Sequence, residues 1–569
     1  MGRVAEADFE TITHADDCRV WAWAVCYTDD IEQVYYGTDI DSFLLFAAVH
    51  RGDVFYFHNL AFDGKFICDR LLKLGYKWVE ERPWRGCFTS IVSSKGKFYQ
   101  LEVKFHNGAK VRFRDSLKLF PMPVRSIARA FGLVEGKGEL DYDLVREVGH
   151  DLTPEERDYI RRDVQIVAAA LRQNIEAGLT KMTIGSNAFG YYKSSHVKGW
   201  FEHVFPVLSE DVDAFIRHAY RGGYTYVEPR FSGVDIMGGI SVDYNSMYPS
   251  MLISKPYPVG VPEWFAGRYE PDSTYPLYVQ QLTCTFSLRP DGLPMIQVKG
   301  SSFYGNHEYV RQTVEPVELC LTSLDIELLF ENYDVDVVSW DGGYKFRSMD
   351  GADLFGAYVE HWGEVKRTSK GGRRQLAKLM LNNLYGKFAT NPDVTQKRPV
   401  LGDDGIVRWE LCEPETRDPV YVAVGAYCTA WARHTLIHAI HENRERFVYC
   451  DTDSMHLAGT EDPTGIRLHD TDFCAWKVEG RFTRAKHLRA KTYIWDLNGE
   501  LSVTCAGMPS NVKQLCVTHY PFERNFELFD WGLSNIDKEG NVIDGCGKLT
   551  PVAVPGGVVL EPRKYVLHR

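Results

Sequence analysis

The chain has 569 residues, 44% of them hydrophobic, and this length and composition predict about three to five domains with sizeable cores. Its apolar runs are too short to span a membrane, and the N-terminal residues lack the apolar stretch of a signal peptide, which argues against membrane and secreted classes. The 13 cysteines are odd in number and include no Cys-x-x-Cys pair, so we expect reduced thiols in a cytoplasm, without a disulfide framework or a structural zinc.

Charge is unevenly distributed along the chain. The net charge of −12 counts against a nucleic-acid partner, because phosphate binding needs local positive potential. However, residues 364–398 contain nine Lys and Arg against two acids, and residues 476–493 contain six against one. Either stretch alone could be a solvated charged face. Together they predict the walls of a channel for an anionic ligand.

Three carboxylates lie in the first part of the chain. Asp8 and Glu10 are two residues apart on a predicted strand, which places both side chains on one face. A second predicted strand covers residues 18–27. The apolar run 54–57 is a further strand, and the loop after it delivers Asp63 to the start of a helix. Taken singly, each carboxylate could be a surface residue.

A later helix supplies a fourth carboxylate. The segment Thr153–Glu156 has the Thr, the Pro and the acids that are typical of an N-cap and a first helical turn. The helix that follows carries Tyr159 and Asp163 four residues apart, and so on one face. Four carboxylates in this order are what two-metal phosphodiester hydrolysis requires, with one metal generating hydroxide and the other stabilising the leaving 3′ oxygen. The Tyr159 hydroxyl could orient the attacking water.

The strings Asp8-x-Glu10, Asn59-x-x-x-Asp63 and Tyr159-x-x-x-Asp163 resemble the three motifs of proofreading 3′–5′ exonucleases of the DnaQ type. The resemblance implies a ribonuclease-H-like α/β sheet within residues 1–184 and places Lys137 among the catalytic residues. It further implies that the single-stranded primer end is contacted by Thr11, Asn59, Phe62 and Tyr142, and that the metal ligands are Asp8, Glu10, Asp63, Asp163 and Glu139.

Residues 187–215 are helical and carry no chemistry of their own. The segment Tyr220-Arg221-Gly222-Gly223 follows, and its two glycines would let a partner approach the backbone closely, with a plain Gly-Gly turn as the alternative. An apolar strand from Gly239 then ends at Asp243 and turns into a helix whose free amides can receive a triphosphate. Tyr248 is placed to lie beneath the incoming sugar and exclude a 2′-hydroxyl; a core tyrosine is the alternative.

Residues 255–350 are rich in proline and aromatic residues, predict several short strands and contain no catalytic constellation, so we interpret them as an insertion. A long helix is predicted at 373–387, with a polar stripe on one side and Leu and Met on the other. The stripe consists of residues spaced by four, four and three, namely Arg374, Lys378, Asn382 and Tyr385. Lys378 can pair with a triphosphate, and Tyr385 can stack on the nascent base pair.

The stretch Phe447–Leu457 has two apolar runs around an Asp451-Thr452-Asp453 corner, which predicts a β-hairpin. Its two carboxylates share a face, and like charges held that close are unfavourable without a cation between them, so the pattern indicates a divalent metal site. An acidic turn that keeps a hairpin soluble is the alternative. Lys491 and Tyr493, in the second basic stretch, would hold the phosphates of a primer strand.

Asp243, Asp451 and Asp453 together with the basic helix amount to a phosphoryl-transfer apparatus. The chemistry is in-line attack of a primer 3′ oxygen on an α-phosphate, with one metal activating the nucleophile and another holding the leaving pyrophosphate. Asp243 and Asp453 are the expected direct ligands of both metals, and Asp451 is a weaker or indirect one.

In this order the strings resemble motifs A, B and C of the family B DNA polymerases, and specifically their protein-primed branch, over essentially the whole chain. The resemblance implies a right hand of palm, fingers and thumb with two insertions, and two Mg²⁺ per active site, for which Mn²⁺ can substitute. Its departures, Asn383 where Ser is usual and Met247 where Leu is usual, touch no proposed ligand. It assigns nucleotide binding to Ser246, Tyr248, Lys366, Arg374, Lys378, Asn382 and Tyr385, DNA binding to Tyr220, Arg221, Gly222, Gly223, Lys491 and Tyr493, and metal binding to Asp243, Val242, Tyr244 and Asp453.

The implied partners are primer-template DNA, deoxynucleoside triphosphates and a terminal protein that primes synthesis, bound by the first insertion. The second insertion would help to encircle the duplex and give processivity and strand displacement. We expect a phage-encoded monomer in the cytoplasm of a bacterial host. The expected domains are an exonuclease at 1–184, a palm at 185–254 and 416–525, insertions at 255–350 and 391–415, fingers at 351–390, and a thumb at 526–569 that is strand-like at 551–560.

On the residues alone, three alternatives stay open. A dedicated exonuclease would use only the first third of the chain and would leave Asp243, Lys378 and Asp453 unexplained. A nucleic-acid-primed family B enzyme would keep every catalytic residue but would not need the insertions. A non-enzymatic DNA-binding protein would have no reason to hold seven carboxylates in two metal-like sets.

Overall fold

The computed structural model describes residues 2–14, 16–133, 140–141, 144, 146–497, 499–508, 513, 517, 522–533, 547–564 and 566–568. None of the described helices is long and apolar enough to cross a membrane. The strands are β1 Val4–His14, β2 Asp17–Tyr27, β3 Asp30–Gly37, β4 Val54–Phe57, β5 Lys77–Trp78, β6 Cys87–Val92, β7 Phe98–Lys104, β8 Lys110–Asp115, β9 Thr225–Val227, β10 Asp235–Tyr244, β11 Pro256–Phe265, β12 Leu277–Leu288, β13 Val317–Thr322, β14 Tyr333–Asp350, β15 Asp393–Val394, β16 Lys397–Leu401, β17 Val407–Leu411, β18 Glu415–Thr416, β19 Phe447–Asp451, β20 Ser454–Ala458, β21 Trp476–Arg489, β22 Thr492–Leu497, β23 Glu500–Cys505, β24 Gly547–Val554 and β25 Gly557–Lys564. The helices are α1 Ile40–Val49, α2 Leu60–Lys73, α3 Val124–Phe131, α4 Pro154–Glu176, α5 Ile184–Ser194, α6 Trp200–Val204, α7 Glu210–Ala219, α8 Met247–Ser254, α9 Ser323–Asn332, α10 Gly351–Thr368, α11 Gly371–Asn383, α12 Tyr385–Phe388, α13 Val422–His441 and α14 Phe522–Leu528.

The first third of the chain forms a sheet with the strand order β3-β2-β1-β4-β8-β7-β6-β5. β4 is parallel to both of its neighbours, β1 and β8. Helices α1 and α2 pack on one face and α4 on the other, so the middle strands are buried on both sides and β2 is almost wholly apolar. The predicted start of α4 is confirmed, because Thr153 and Glu156 form a capping box. The end of β4 and the first turn of α2 therefore lie beside β1.

A second sheet, in the order β23-β22-β21-β10-β20-β19-β9, forms the centre of the molecule. The predicted hairpin at 447–457 is confirmed as the antiparallel pair β19 and β20, and β20 also pairs with β10. Helix α13 is buried around most of its circumference because it lies in the core on one face of this sheet. The strand that ends near Asp243 and the Asp451–Asp453 corner are consequently neighbours.

Residues 256–350 form a separate antiparallel sheet, β11-β14-β12-β13, with helix α9. The expectation of several short strands is wrong, because β12 has 12 residues and β14 has 18. Gly342 and Gly343 lie inside β14, at a register irregularity where their backbone packs directly on the carbonyls of Phe265 in β11 and Val279 in β12. The two glycines therefore allow neighbouring strands to approach closely, and they do not mark the end of a strand.

A buried ion pair joins this inserted sheet to the central core. Arg433 of α13 donates to the two carboxylate oxygens of Asp325 in α9 at 2.8 and 2.7 Å. It also donates to the carbonyl oxygens of Arg221 and Gly222 at 2.9 and 2.8 Å. Burial alone would raise the pKa of Asp325, but the guanidinium groups of Arg433 and Arg221 outweigh it and lower that pKa. Asp325 is therefore ionised in the interior.

We expect Arg433→Ala to destabilise the protein by about 3–5 kcal/mol, because it leaves the Asp325 carboxylate buried without its main partner. Urea unfolding of the purified protein measures the change. The control is Arg398→Ala, which removes one partner of the exposed Arg398–Glu410 pair and should cost less than about 1 kcal/mol. Equal losses in the two variants would contradict a special contribution of the buried pair.

The helix predicted at 373–387 is two helices, because α11 ends at Asn383 and the short α12 begins at Tyr385. The predicted polar stripe is confirmed on α11 for three of its four residues, whereas Tyr385 lies in α12. Its buried side carries Leu376, Ala377, Met380 and Leu381, and its exposed side carries Arg374, Lys378 and Asn382. Leu384, between the two helices, has helical backbone angles of φ −68° and ψ −54°.

Two hairpins from the second half of the chain pack on the first sheet. In the β16–β17 hairpin, the Trp409 ring lies 4.8 Å from the ring of Phe98 in β7. The β24–β25 hairpin turns at 555–556, so the strand expected at 551–560 is in fact two strands. Val558 is buried among the side chains of the first sheet, and the Gly556 amide donates to Asp69 at 3.2 Å. Parts of the chain that are distant in sequence thus meet on the N-terminal sheet.

Candidate active sites

A cavity of about 1310 Å³ lies between the central sheet and the helices α8, α10 and α11. Acidic and basic side chains both line it. The acids of the central sheet and its hairpin turn are Asp243, Asp453 and Glu479, and the other acids are Glu360, Glu364, Asp470 and Asp472. The cations are Lys366, Arg367, Arg374, Lys378, Arg129 of α3 and, on the sheet itself, Lys477. A ligand that carries both negative charge and bound cations matches this lining.

Asp243 and Asp453 are brought together by strand pairing. Asp243 is opposite Ser454 across β10 and β20, and the Tyr244 amide donates to the Asp453 carbonyl at 2.6 Å. Burial raises the pKa of Asp243 to about 7, with repulsion from Asp453 and Glu479 adding to it. Burial, with repulsion from neighbouring carboxylates, likewise raises the pKa of Asp453 to about 6. A divalent cation between the two side chains would offset this repulsion.

The oxygen ligands of this site suit Mg²⁺ or Mn²⁺, which prefer carboxylates, carbonyls and water. Within the described part of the chain, no group of three or more His, Cys, Asp or Glu side chains is assembled to hold a metal. Asp243 and Asp453 would therefore share a metal with other oxygens, such as those of a nucleotide. The side chains of Val242 and Tyr244 are buried, so a contribution from these predicted ligands is confined to the main-chain carbonyls.

Glu479 of β21 is a site carboxylate that the sequence reasoning missed. Ser241 Oγ donates to Glu479 Oε2 at 2.9 Å, and Glu479 contributes to the raised pKa values of both Asp243 and Asp453. The available signal was its position as the single acid in the basic stretch 476–493. Strand pairing between β10 and β21, which no local pattern reveals, places it beside the other two.

We expect Glu479→Gln to raise the Mg²⁺ concentration for half-maximal nucleotide incorporation by about tenfold, because the variant keeps an acceptor for Ser241 but removes a charge that favours cations. A Mg²⁺ titration of single-nucleotide incorporation measures this. Glu445→Gln, at an exposed position outside the cavity, is the control and should match the wild type. An unchanged Mg²⁺ dependence in Glu479→Gln would show that this carboxylate has no part in cation binding.

Asp451 faces its own set of partners. It accepts hydrogen bonds from Thr225 Oγ1 at 2.9 Å and from Lys491 Nζ at 2.6 Å, and the Tyr449 hydroxyl donates to it at 3.3 Å. Lys491 lies in the turn between β21 and β22 with φ 55°, whereas Tyr493 lies in β22 and packs on Tyr449. The carboxylate of Asp451 thus holds Lys491 in place, which agrees with the expected weaker or indirect role in metal binding.

The cations of α10 and α11 converge on the start of α8. Lys366 Nζ donates to Ser246 Oγ at 2.9 Å, and the Arg374 guanidinium donates to the Lys366 carbonyl at 2.9 Å. Burial lowers the pKa of Lys366, and the nearby charges of Lys378 and Arg374 lower it further. Asn382 lines the same cavity. Cations this close repel one another, and a triphosphate would offset that repulsion.

Tyr248 and Tyr385 stack on each other with ring centroids 4.0 Å apart and an interplanar angle of 27°. Tyr385 begins α12, and Tyr248 lies in α8. Burial raises the pKa of Tyr248 to about 12 and raises that of Tyr385 as well, so both hydroxyls are neutral at ordinary pH. The two rings cover each other's facing sides, and Tyr248 also lines the cavity.

The segment 220–223 does not present Arg221 to a ligand, which corrects the prediction that this side chain binds DNA. Arg221 is buried, and its guanidinium donates to the carbonyl of Cys320 at 2.9 Å. An added Cβ on Gly223 would lie 2.6 Å from Thr452 Oγ1, and the Thr452 amide donates to the Tyr224 carbonyl at 2.7 Å. The segment therefore supports the catalytic hairpin directly, and only Tyr220 and the glycine backbone stay candidates for contacting DNA.

The second carboxylate set lies on the first sheet. Asp8 and Glu10 share a face of β1, since each is opposite an alanine of β2, and those alanines pack in one buried cluster with Tyr159 of α4. α4 therefore covers the face that carries both carboxylates. Asp163 follows Tyr159 by one turn of the same helix.

Asp63 lies in the first turn of α2. The residue that precedes this helix, Asn59, has a left-handed φ of 86°. Burial raises the pKa of Asp63 well above its usual range, and the charge of Asp8 adds to the shift. The pairing of β1 with β2 shifts register between Glu10 and Thr11, where Trp21 is the extra residue of β2. Phe62 packs against the core of the first sheet. The predicted residues Lys137, Glu139 and Tyr142 lie outside the described part of the chain.

Glu6 is a second carboxylate near a candidate site that the sequence did not predict. It precedes Asp8 by two residues, so it shares the face of Asp8 and Glu10, and it is only 2% exposed. Burial and the charge of Asp8 raise its pKa well above the usual range. It is therefore a further buried carboxyl group close to Asp8.

Comparison with known proteins identifies the family of the chain. The family model for DNA polymerase type B, organellar and viral, matches residues 49–152 and 145–470. The chain belongs to this family. This type B polymerase is 40% identical over 590 residues to the DNA polymerases of Bacillus phages Nf and phi29, with 99% of each chain covered. It is 30% identical over 537 residues to the DNA polymerase of Streptococcus phage Cp-1, covering 89% of this chain and 91% of the relative.

A solved structure of phi29 DNA polymerase, complexed with primer-template DNA and incoming nucleotide substrates, has a TM-score of 0.91 with this type B polymerase. The two are 38% identical, and the match covers 100% of both chains. The protein is thus a multidomain α/β enzyme with an exonuclease and a polymerase domain, and its activity is DNA-directed DNA synthesis with divalent metal ions.

Proposed function

We propose that this polymerase is a replicative, protein-primed enzyme that proofreads its product, with two-metal chemistry in two separate sites. The observation that carries the proposal is the pairing of Asp243 with the Asp453 turn, opposite the cations of α10 and α11. Carboxylates crowded beside cations repel one another unless cations and phosphates bind, which supports a site for metal ions and a nucleotide.

The finer domain assignment is supported by the sheets. We assign a ribonuclease-H-like exonuclease to 1–184, a palm to 185–254 and 416–525, a terminal-protein-binding insertion to 255–350, fingers to 351–390, a second insertion to 391–415 and a thumb to 526–569. The mixed sheet with parallel β1, β4 and β8 supports the first, and the central antiparallel sheet supports the palm. The basic α10 and α11 support the fingers.

In synthesis, the residues of the cavity bind and orient the substrates. Lys366, Arg374 and Lys378 neutralise the triphosphate, and Lys491 holds a primer phosphate after leaving Asp451. Tyr248 excludes a ribose 2′-hydroxyl by contact. Asp243 and Asp453 would hold Mg²⁺, or Mn²⁺ in its place, which when bound lowers the pKa of the primer 3′-hydroxyl and stabilises the charge on the leaving pyrophosphate.

In proofreading, the first sheet binds a frayed primer end. Asp8, Glu10, Asp63 and Asp163 would hold the metal ions that make hydroxide available near neutral pH, with oxygens of the DNA and water completing the coordination, because these described side chains are not assembled as a metal site by themselves. Tyr159 is buried beside the face of β1 that carries two of these carboxylates, so its hydroxyl is suited to orienting the attacking water.

Priming by a terminal protein is supported by likeness to the phage polymerases over nearly the whole chain, insertions included. The likeness to the phi29 complex supports primer-template DNA and incoming nucleotides as ligands. A phage enzyme that acts as a monomer in the cytoplasm of its bacterial host fits these relatives. The alternative is a nucleic-acid-primed polymerase, and initiation without DNA or RNA primer but with a terminal protein separates the two.

Primer extension on single-stranded circular DNA tests the assignment of the two sites. We expect the wild type to make products many circles long, Asp453→Asn to make none, and Asp8→Ala/Glu10→Ala to extend a matched primer but fail to trim a mismatched one. Gel analysis with Mg²⁺ and four deoxynucleotides gives all three results. If the wild type only shortens the primer, the polymerase assignment fails; if the double variant still trims mismatches, the exonuclease assignment fails.

The second insertion can be tested through its contact with the first sheet. We expect Trp409→Ala to shorten the product made in one binding event by about twofold or more, because it removes the ring contact with Phe98 that closes the hairpin onto the first sheet. Extension in the presence of a DNA trap measures this. Leu411→Ala, at a 61% exposed position of the same strand, is the control and should leave the product length unchanged. The two variants behaving alike would contradict the role of the closed hairpin.

A further inference from the structure

A buried carboxylate outside the predicted motifs holds the loop that leads to Asp63. Asp115 ends β8 beside the end of β4 and is 1% exposed. Its Oδ1 accepts hydrogen bonds from the Asn59 amide at 3.2 Å and the Leu117 amide at 2.9 Å. Its Oδ2 accepts from Lys118 Nζ at 2.7 Å. Both carboxylate oxygens are thus engaged by the chain around the exonuclease site.

The conformation of Asn59 explains why this contact matters. Asn59 has φ 86° and ψ 54°, the left-handed region that a side chain normally disfavours, and its own side chain makes no capping hydrogen bond to α2. α2 begins at the next residue, so the backbone of Asn59 sets the direction in which the helix leaves β4. The position of Asp63, one turn later, depends on that direction.

The neighbouring residue ties the same corner to β1. Ser116 Oγ lies 3.3 Å from Glu6 Oε1 and 3.1 Å from His58 Nδ1, and His58 Nε2 lies 2.8 Å from the Met122 carbonyl. The strand that carries Asp8 and the loop that carries Asn59 are therefore both anchored at the end of β8.

We propose that Asp115 is a positioning residue of the exonuclease site. It holds Asn59 in its left-handed conformation and so aligns the Asn59 side chain with the primer strand and the Asp63 carboxylate with its metal ion. The proposal rests on the proofreading function proposed above. It predicts that removing the Asp115 carboxylate weakens the binding of DNA and metal in the exonuclease site and leaves the polymerase site unchanged.

The test is degradation of a single-stranded oligonucleotide by Asp115→Ala. We expect KM for the DNA, and the Mg²⁺ concentration for half-maximal rate, each to rise about tenfold, because Asn59 and Asp63 lose their common support. Extension of a matched primer should stay within about twofold of the wild type, since the polymerase cavity is lined by other elements. Asp115→Asn keeps an Oδ1 acceptor for both amides and should remain within about threefold in degradation.

Two further variants separate positioning from general stability. Glu102→Ala removes another buried carboxylate of the same sheet, paired with Lys110 and Arg112 at 2.7 Å, and should leave KM and the Mg²⁺ dependence of degradation unchanged even if it lowers Tm equally. Lys118→Ala leaves both amide hydrogen bonds of Asp115 in place and should resemble Asp115→Asn.

A double-mutant cycle addresses the conformation of Asn59 itself. Glycine adopts the left-handed region without steric cost, so Asp115→Ala should lower exonuclease activity less in an Asn59→Gly background than in the wild type. If the losses of exonuclease activity in Asp115→Ala and Asn59→Gly are additive in the double variant, Asp115 does not act by holding the conformation of Asn59.

The outcomes distinguish this inference from the function on which it rests. If the wild type degrades DNA and Asp115→Ala does so with unchanged KM and Mg²⁺ dependence, Asp115 has no positioning role. If Asp115→Ala or Asp115→Asn loses primer extension to the same degree as degradation, the effect is global and the role is likewise overturned. If the wild type itself has no exonuclease activity, the proofreading function fails and the inference fails with it.

Discussion

Repulsion between carboxylates held close together in partly buried positions is the constraint on which both sites depend. In the central sheet, burial and mutual repulsion raise the pKa values of Asp243 and Asp453, and Glu479 adds to both. In the first sheet, Glu6 and Asp63 show the same effect around Asp8. Such groups stay together only because strand pairing and packed helices hold their backbones, and bound cations would relieve the repulsion.

The supports of the polymerase site extend far from its carboxylates. Arg433 binds Asp325 of the inserted sheet on one side and the carbonyls of Arg221 and Gly222 on the other. Gly223 then packs on Thr452, at the tip of the catalytic hairpin. A series of contacts, buried at Arg433 and Asp325 and partly exposed at Gly222, Gly223 and Thr452, therefore connects the insertion with the Asp453 turn.

Local charge, and not net charge, decides what this acidic protein can bind. The cations of α10 and α11 face the cavity, while the described acids outside the two sites form many exposed ion pairs on the surface, as Asp404 does with Arg408. Two hairpins also pack on the first sheet: β16–β17 from the middle of the second half of the chain, and β24–β25 from near its end. A net charge of −12 is compatible with phosphate binding under these conditions.

Patterns confined to one element were predictable from the sequence. The hairpin around Asp451 and Asp453, the N-cap at Thr153 and the polar stripe of α11 all follow from side-chain periodicity and capping chemistry, which are properties of a few consecutive residues. The same local rules placed Asp8 and Glu10 on one face. They did not predict that the helix at 373–387 divides into α11 and α12 on either side of Leu384.

Only the tertiary structure decided which distant residues meet. Glu479 joins Asp243 through the pairing of β10 with β21, and Asp115 reaches Asn59 through the pairing of β4 with β8. The burial of Arg221 likewise depends on carbonyls of the inserted sheet. Sequence spacing determines which side chains share a face of one strand or helix, whereas strand order and burial are set by the free energy of the whole packed chain, and these determine which faces come together.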